Sequence, residues 1–325
     1  MQHYYYCRCT VTAQYEEDTE NGVVSLNGKE GFTIATKKGD FVFKPYMLVQ
    51  TSANINYYDD EGLDPAYNQD NIHNSGFSIP YAILGFTGKA SRGDDHSHHA
   101  AGNGGNILQQ AWFDVEMKKS FAIRVGKFKT PFSHAYLTTL GETLMPTLPT
   151  SLTSSVILPY SLNAVTPNIG MGFDLGVEVH GLVKDKFGYE VGIFNGTGSS
   201  VNVASKTFSD DWHIPSLLYA GRITYMPKGV MPSNQGSPNR LKEDKMLFGL
   251  STSLNVESES ESTNDFRAGA EFAMLKNRLY LGAEIYYMNV GFTKRQKIDE
   301  SYNYLGGYVR RRLFRYQQTT SDSPL

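Results

Sequence analysis

Three groups of side chains in this sequence are of types that could do chemistry. The first is a set of charges at alternate positions: Asp114 and Glu116, Arg124, Lys127 and Lys129, Glu178 and His180, Glu190, Arg222, Arg267 and Glu271, and Glu284. Rings of such groups around water sort ions by charge and radius. The second is the pair Glu178 and Glu190, which neighbouring strands could bring together as the two carboxylates of a glycoside hydrolase. The third is Asp94-Asp95-His96-Ser97-His98-His99, whose imidazoles and carboxylates are ligands for zinc, nickel or copper. No distant ligand accompanies that tract, and Ala101-Gly102-Asn103-Gly104-Gly105 follows it, so it reads as a solvated loop with no metal. Arg residues mixed among the acids explain Glu178 and Glu190 more simply as members of a charged face.

Other chemistry is missing at the motif level. No G-x-S-x-G elbow, Walker A loop or H-E-x-x-H helix occurs. Gly196-Thr197-Gly198 lacks the third glycine and the helix of a dinucleotide site. No catalytic residue and no cofactor are expected. Cys7 and Cys9 lie two apart, which fits neither a redox pair nor a zinc site. Arg92-Gly93-Asp94 spells an adhesion tripeptide and Asn195-Gly196-Thr197 a glycosylation sequon, and both read as chance spellings.

The elements that must position the charges are strands. Phe121, Ile123 and Val125 alternate with Ala122, Arg124 and Gly126, the period of a ribbon with unlike faces. Lys127-Phe128-Lys129 ends that strand, and Pro131 stops it. About forty residues of low charge follow, read as a large loop over 130–170 that holds Pro131, Phe132 and Glu142. The same alternation appears at Ile107–Met117, Gly172–Val183, Tyr189–Asn195, Leu217–Met226, Met246–Val256, Phe266–Leu275 and Leu279–Met288. Towards the N-terminus, strands are read at Phe32–Ala35, from Phe41 towards Tyr58, and at Gly76–Lys89 with Phe77, Ile79, Tyr81 and Ile83 on one face. Short links (Lys118–Ser120, Lys184–Gly188, Lys276–Arg278) interleave with longer ones (Asp59–Ser75, Ala90–Asn106, Gly198–Ser216, Glu257–Asp265). Strands of roughly ten residues are long enough to cross a bilayer when tilted, and such loop asymmetry is that of an outer-membrane barrel.

The 325 residues carry a formal charge of −3, which argues against nucleic acid as a partner. Aromatics reach 13%, with 21 Tyr and 18 Phe, a mix suited to twisted strands and aromatic belts. No apolar run is long enough for a transmembrane helix, which leaves a barrel open. On a barrel, a lipid-facing charge at the bilayer midplane costs about 2–4 kcal/mol, so the charged faces belong inside. An interior that charged cannot be dry. An antiparallel sheet with one solvated face gives the same alternation, so a soluble or plugged all-β carbohydrate-binding protein stands as the alternative.

Three stretches carry a resemblance. Val125-Gly126-Lys127-Phe128-Lys129-Thr130-Pro131-Phe132, then Gly176-Val177-Glu178-Val179-His180-Gly181, then Val191-Gly192-Ile193-Phe194-Asn195-Gly196 resemble the phosphate-selective porin O and P family of Gram-negative outer membranes, in its Bacteroidetes-type version. The resemblance covers most of residues 20–309. It implies an all-β, antiparallel transmembrane β-barrel of the porin type, usually trimeric, with a long inward-folded loop narrowing the pore. The charges at alternate positions would then line the pore, and Pro131, Phe132 and Glu142 would belong to the constriction loop. The partners implied are the outer-membrane bilayer, small solutes or anions such as phosphate, and two further copies of the chain. The function implied is passive diffusion of small hydrophilic solutes.

The sequence departs from that family in two respects. Phosphate-selecting members place Arg in and just after the constriction loop, whereas residues 130–170 here hold no Lys or Arg and a single carboxylate, Glu142. Acids also outnumber bases among the strand charges, which favours a general small-solute porin. The second departure is strand number: roughly twelve of sixteen strands are read, an incomplete barrel. One more strand starts at Tyr302 and runs to about Val309, where Arg310-Arg311-Arg312 put charge on both faces. Residues 21–309 are therefore expected to form the barrel and 310–325 an aberrant or disordered tail, left by truncation or a frame shift. Residues 1–20 are expected to be a remnant of an export signal or a disordered N-terminus, because Thr12-Ala13-Gln14 resembles a cleavage site without an apolar stretch before it.

Overall fold

A computed structural model describes residues 23–27, 31–36, 41–57, 73–90, 94–101, 108–138, 149, 173–196, 217–232, 244–256, 264–276, 279–291 and 301–313. The expectations for residues 1–20, for Cys7 and Cys9, for Glu142 and for 314–325 fall outside the described residues. The chain divides into two units, Met1–Val115 and Glu116–Leu325.

The first unit is an antiparallel meander of β1 (Val23–Asn27), β2 (Gly31–Thr36), β3 (Phe41–Tyr57), β4 (His73–Ala90) and β5 (Asp94–Ala101). Besides the added β1, which the sequence reading lacked, its strands differ from that reading in two places. Residues 94–101, read as a solvated loop, form β5 and pair with β4 from Lys89↔His96 to Leu84↔Ala101. The long link expected over 90–106 therefore contains a strand, and only residues 91–93 join β4 to β5. The second difference lies within β4. Its pairing with β3 slips between Gln50 and Ser52, where an irregularity shifts the register beside Pro80. An extra residue in one strand inverts the alternation beyond it. Phe77 and Ile79 are accordingly exposed while Ile83 is only 8% exposed, and Ala82 and Leu84 continue the outward face. The single apolar face expected for Phe77, Ile79, Tyr81 and Ile83 is thus broken.

β6 (Leu108–Lys118) runs into the second unit. That unit continues with β7 (Phe121–Lys129), a one-turn helix α1 (His134–Leu137), β8 (Phe173–Val183), β9 (Phe187–Phe194), β10 (Leu218–Tyr225), β11 (Lys245–Asn255), β12 (Asn264–Lys276), β13 (Leu279–Gly291) and β14 (Ser301–Leu313). From β7 to β14 each strand pairs antiparallel with the next. Fourteen strands are present among the described residues, against about twelve read from the sequence. No helix among them is long and apolar enough to cross a membrane.

Burial in the second unit is inverted relative to a soluble protein. Val177 is 48% exposed, Ile223 57% and Leu250 56%, while Glu178 on the other face of β8 is 1% exposed and Arg267 on β12 is 0%. Apolar side chains that gain nothing by facing water gain from facing hydrocarbon, and the charges opposite them avoid it. The alternation in β8 to β13 falls as the sequence indicated.

Short connections gather at one end of this unit. Lys119–Ser120 joins β6 to β7, Lys184–Lys186 joins β8 to β9, and residues 277–278 join β12 to β13. Lys184 and Asp185 both have positive φ, and Lys186 N–H donates to Val183 O at 3.1 Å, the pattern of a tight hairpin turn. Lys119 and Asp185 pair across the two turns. The link from β10 to β11 leaves and re-enters the sheet at this same end and is the long exception; residues 226–232 and 244 of it are described.

β14 corrects the boundary expected at Val309. It pairs with β13 through Arg310, Arg311 and Arg312 to Leu313. Arg310 and Arg312 stand opposite Gly282 and Tyr280, on the face of Glu284, and the Arg310 guanidinium lies 5.4 Å from the Tyr308 ring centroid. Of the three, Arg311 alone takes the apolar register, two residues from the strand's end, where a side chain can reach the interface.

Candidate functional site: a charged face and the loop segment docked on it

Three cross-strand rows on the buried face carry the charges. One runs Arg124–Glu178–Gly192–Ala220–Ser253–Arg267 and the next His180–Glu190–Arg222–Ser251–Gly269–Tyr286. The third runs Thr224–Gly249–Glu271–Glu284–Tyr308. Opposite charges sit within and between rows. Arg124 Nη1 donates to Glu178 Oε1 at 3.2 Å. Arg222 gives Nε and Nη2 to the two oxygens of Glu271, at 2.6 and 3.2 Å, and Nη1 to Glu190 Oε2 at 2.9 Å. This forked geometry is what a planar guanidinium does best against a carboxylate. A Cβ at Gly249 would collide with the Glu271 carboxylate, so the missing side chain on β11 is what lets Glu271 reach across to β10.

Glu284 is bound differently. Its oxygens accept from Ser133 Oγ at 2.6 Å, Ala135 N–H at 2.8 Å, Tyr286 OH at 2.8 Å and Tyr308 OH at 2.6 Å. Two of these donors belong to the segment after β7, so Glu284 on β13 clamps the start of the long loop. Ser133 works twice: its hydroxyl also accepts from Tyr136 N–H at 3.2 Å, which caps α1. It does so at φ 63 and ψ 128, outside the left-handed helical well, a sparsely populated conformation that costs ~1–3 kcal/mol. Strain of that kind persists only where surrounding contacts hold it.

Further contacts fix the same segment. Phe132 is fully buried and stacks on Tyr286 with centroids 6.1 Å apart. Lys129 Nζ donates to Tyr136 O at 2.5 Å and Thr138 O at 3.2 Å, carbonyls at the end of the one-turn helix. Burial pushes the His134 imidazole down to about 4; the nearby Glu271 and Glu190 oppose that shift, whereas Arg222 and Arg310 add to it. His134 Nε2 has no hydrogen-bond partner. Burial likewise raises the Tyr136 phenol well above its ordinary value. Both groups are neutral at pH 7.

The motif residues acquire physical roles here. A Cβ at Gly176 would strike the Phe194 ring and the Ile193 carbonyl, and Phe194 is the cross-strand neighbour of Gly176. The Phe194 ring thus fills the place of the missing side chain. Phe128 meets it edge-on at 5.3 Å. Asp174 then ties the end of β9 down by accepting from Gly196 N–H at 2.5 Å.

Of the residues singled out from the sequence, Arg124, Glu178, His180, Glu190, Arg222, Arg267, Glu271 and Glu284 share one face, and the structure brings Arg124 to Glu178 and Arg222 to Glu190 and Glu271. Asp114 is buried and Glu116 half-buried, alternating with exposed Phe113, Val115 and Met117. Lys127 and Lys129 depart from the expectation. They lie opposite Leu175 and Phe173, in the register of the apolar residues, and Lys129 turns onto α1 instead of joining Arg124. Pro131 and Phe132 are buried in the docked segment. Ser133, Tyr286, Tyr308 and Arg310 were missed. Their polar atoms look ordinary in sequence, and only the β13–β14 register and the reach of the loop reveal them. Arg310 and Arg312 add to Arg124, Arg222 and Arg267 on this face and narrow the acid excess read from the sequence without removing it. Among the described residues no cluster of His, Cys, Asp or Glu could hold a metal ion.

Strands with an apolar outer face, a charged inner face and a loop segment docked on that inner face define a membrane β-protein of the porin class. Residues 49–318 match the family model described as phosphate-selective porin O and P. The chain belongs to that family of Gram-negative outer-membrane porins. No curated protein matches it by sequence.

Proposed function

We propose that the protein is a passive pore for small hydrophilic solutes, inorganic anions such as phosphate among them, narrowed by the loop that begins at Pro131. The observation that carries this reading is the inverted burial of β8 to β14, with Glu178, Arg222, Arg267, Glu271 and Glu284 buried and Val177, Ile223, Leu250 and Leu305 bare. Such a face supports a pore lining of alternating charge, in which Arg124, Arg222, Arg267, Arg310 and Arg312 offset the acids. Selection would then come from radius and from the balance of charge rings. The docking of Ser133 and Phe132 on β13 supports the narrowing. Assembly as a homotrimer is part of this proposal and follows from the family alone.

Reconstitution of the full-length protein in a planar bilayer tests it. Discrete conductance steps are expected, with a reversal potential near zero or of anion sign across a salt gradient, and block by added phosphate if the Arg side chains bind it. Folded, membrane-inserted protein without conductance would refute the pore and favour a plugged barrel.

A further inference from the structure

The outward, apolar faces of β12, β13 and β14 are not flat. Three cross-strand rows follow one another there: Ala268–Tyr287–Leu305, Ala270–Ile285–Gly307 and Phe272–Ala283–Val309. Ala270, Ala283 and Gly307 offer little or no side chain, and they line a groove of about 790 Å³ together with exposed Ile285, Leu305 and Val309. That volume is in the range of sites that hold small molecules. The gap at Gly307 is built in. A Cβ there would lie 2.8 Å from the Glu284 carbonyl oxygen, so the close pairing of β14 with β13 leaves no room for a side chain.

The same face carries charge at one end alone. Beyond the groove, towards the 277–278 turn, the next rows are Met274–Leu281–Arg311 and Lys276–Leu279–Leu313. Lys276 and Arg311 are exposed, and they are the only charged residues in the outward register of these three strands. At the other end the register is polar and uncharged: Tyr287 OH and Asn289 Nδ2 donate to Asn303 Oδ1 at 2.6 and 2.9 Å. We propose that the groove holds an acyl chain of an anionic phospholipid, with the lipid phosphate against Arg311 and Lys276. A hydrocarbon chain gains by filling an apolar groove, and two cations at the polar boundary attract a negative headgroup. The proposal goes beyond the pore reading and requires only that this face meets the bilayer.

Native mass spectrometry of the full-length protein, released from micelles with added phosphatidylglycerol or phosphatidylcholine of the same acyl chains, tests it. The wild type should retain phosphatidylglycerol in preference to phosphatidylcholine. Arg311→Gln and Lys276→Gln should each weaken phosphatidylglycerol retention about five-fold and leave phosphatidylcholine as it was. Ala283→Leu, which fills the groove, should lower retention of both lipids. The glutamine variants change exposed side chains and still report if Ala283→Leu fails to fold. Equal retention of the two lipids by the wild type, glutamine variants that match the wild type, or undiminished retention in Ala283→Leu would each overturn the site. Subunits that separate in Ala283→Leu with lipid retention unchanged would overturn it too, and would make this face a contact between copies of the chain. A protein that shows the lipid preference but never conducts would remove the pore reading and leave the lipid site intact.

Discussion

Replacing Glu284 with Ala should release the start of the long loop from the wall. In the native protein the carboxylate takes four hydrogen bonds, two of them from the loop segment, Ser133 Oγ and Ala135 N–H. Bonds to a charged acceptor are worth ~1.5–3 kcal/mol each, so the two loop contacts represent ~3–6 kcal/mol of docking. Removal also withdraws a buried carboxylate, and relief of its desolvation offsets part of the loss. The net loosening expected is ~2–4 kcal/mol, with Ser133 left at φ 63 and one anchor fewer. A docked fraction that was complete would then share the ensemble with undocked forms. Single-channel recording should show larger mean conductance and more open-channel noise, and limited proteolysis should cut within 130–170. Glu284→Gln keeps one acceptor oxygen but turns an NH2 group towards donors, so its effect should fall between Ala and wild type. If Glu284→Ala left conductance, noise and proteolysis unchanged, the clamp would not be what holds the loop, and Phe132 against Tyr286 would have to suffice.

Three further outcomes follow from the same geometry. Arg222→Ala strands Glu190 and Glu271 on a buried face and should destabilise the folded protein by about 3–5 kcal/mol, measured as a lower midpoint of denaturant unfolding from micelles. His134 is neutral in the docked segment down to about pH 4, against an ordinary value near 6.5. The unfolded or undocked form therefore binds the proton first: docking is fully stable above about pH 6.5, weakens by about 3 kcal/mol in all as pH falls to 4, and changes little below. His134→Phe should flatten the pH dependence of conductance noise over that window, and an unaltered dependence would place the titrating group elsewhere. Gly176→Ala drives a Cβ into the Phe194 ring and the Ile193 carbonyl, and should cost about 1–3 kcal/mol as overpacking, read as reduced resistance to unfolding and only partly recovered by Phe194→Leu, which removes the ring contact but not the carbonyl one.

The sequence by itself determined strands β8 to β13 of the second unit and the sidedness of each. Alternation is a local property, fixed by the two-residue period of a β-strand, and it needs no knowledge of partners. Leu175, Val177 and Val179 against Gly176, Glu178 and His180 is legible in one strand alone. The same reasoning misread β4, because the register irregularity near Pro80 inverts the period and a local pattern carries no mark of it. It also set the last boundary at Val309. Three consecutive arginines look impossible in a membrane strand until pairing with β13 shows that Arg310 and Arg312 share a face with Glu284 and that Arg311 stands near the strand end. Only the tertiary structure decided which charges meet. Arg222 finds Glu190 across one strand boundary and Glu271 across two, and Ser133 finds Glu284 151 residues away. Those partnerships depend on strand order, register and the path of a loop, and none of these is encoded in the alternation that makes a strand.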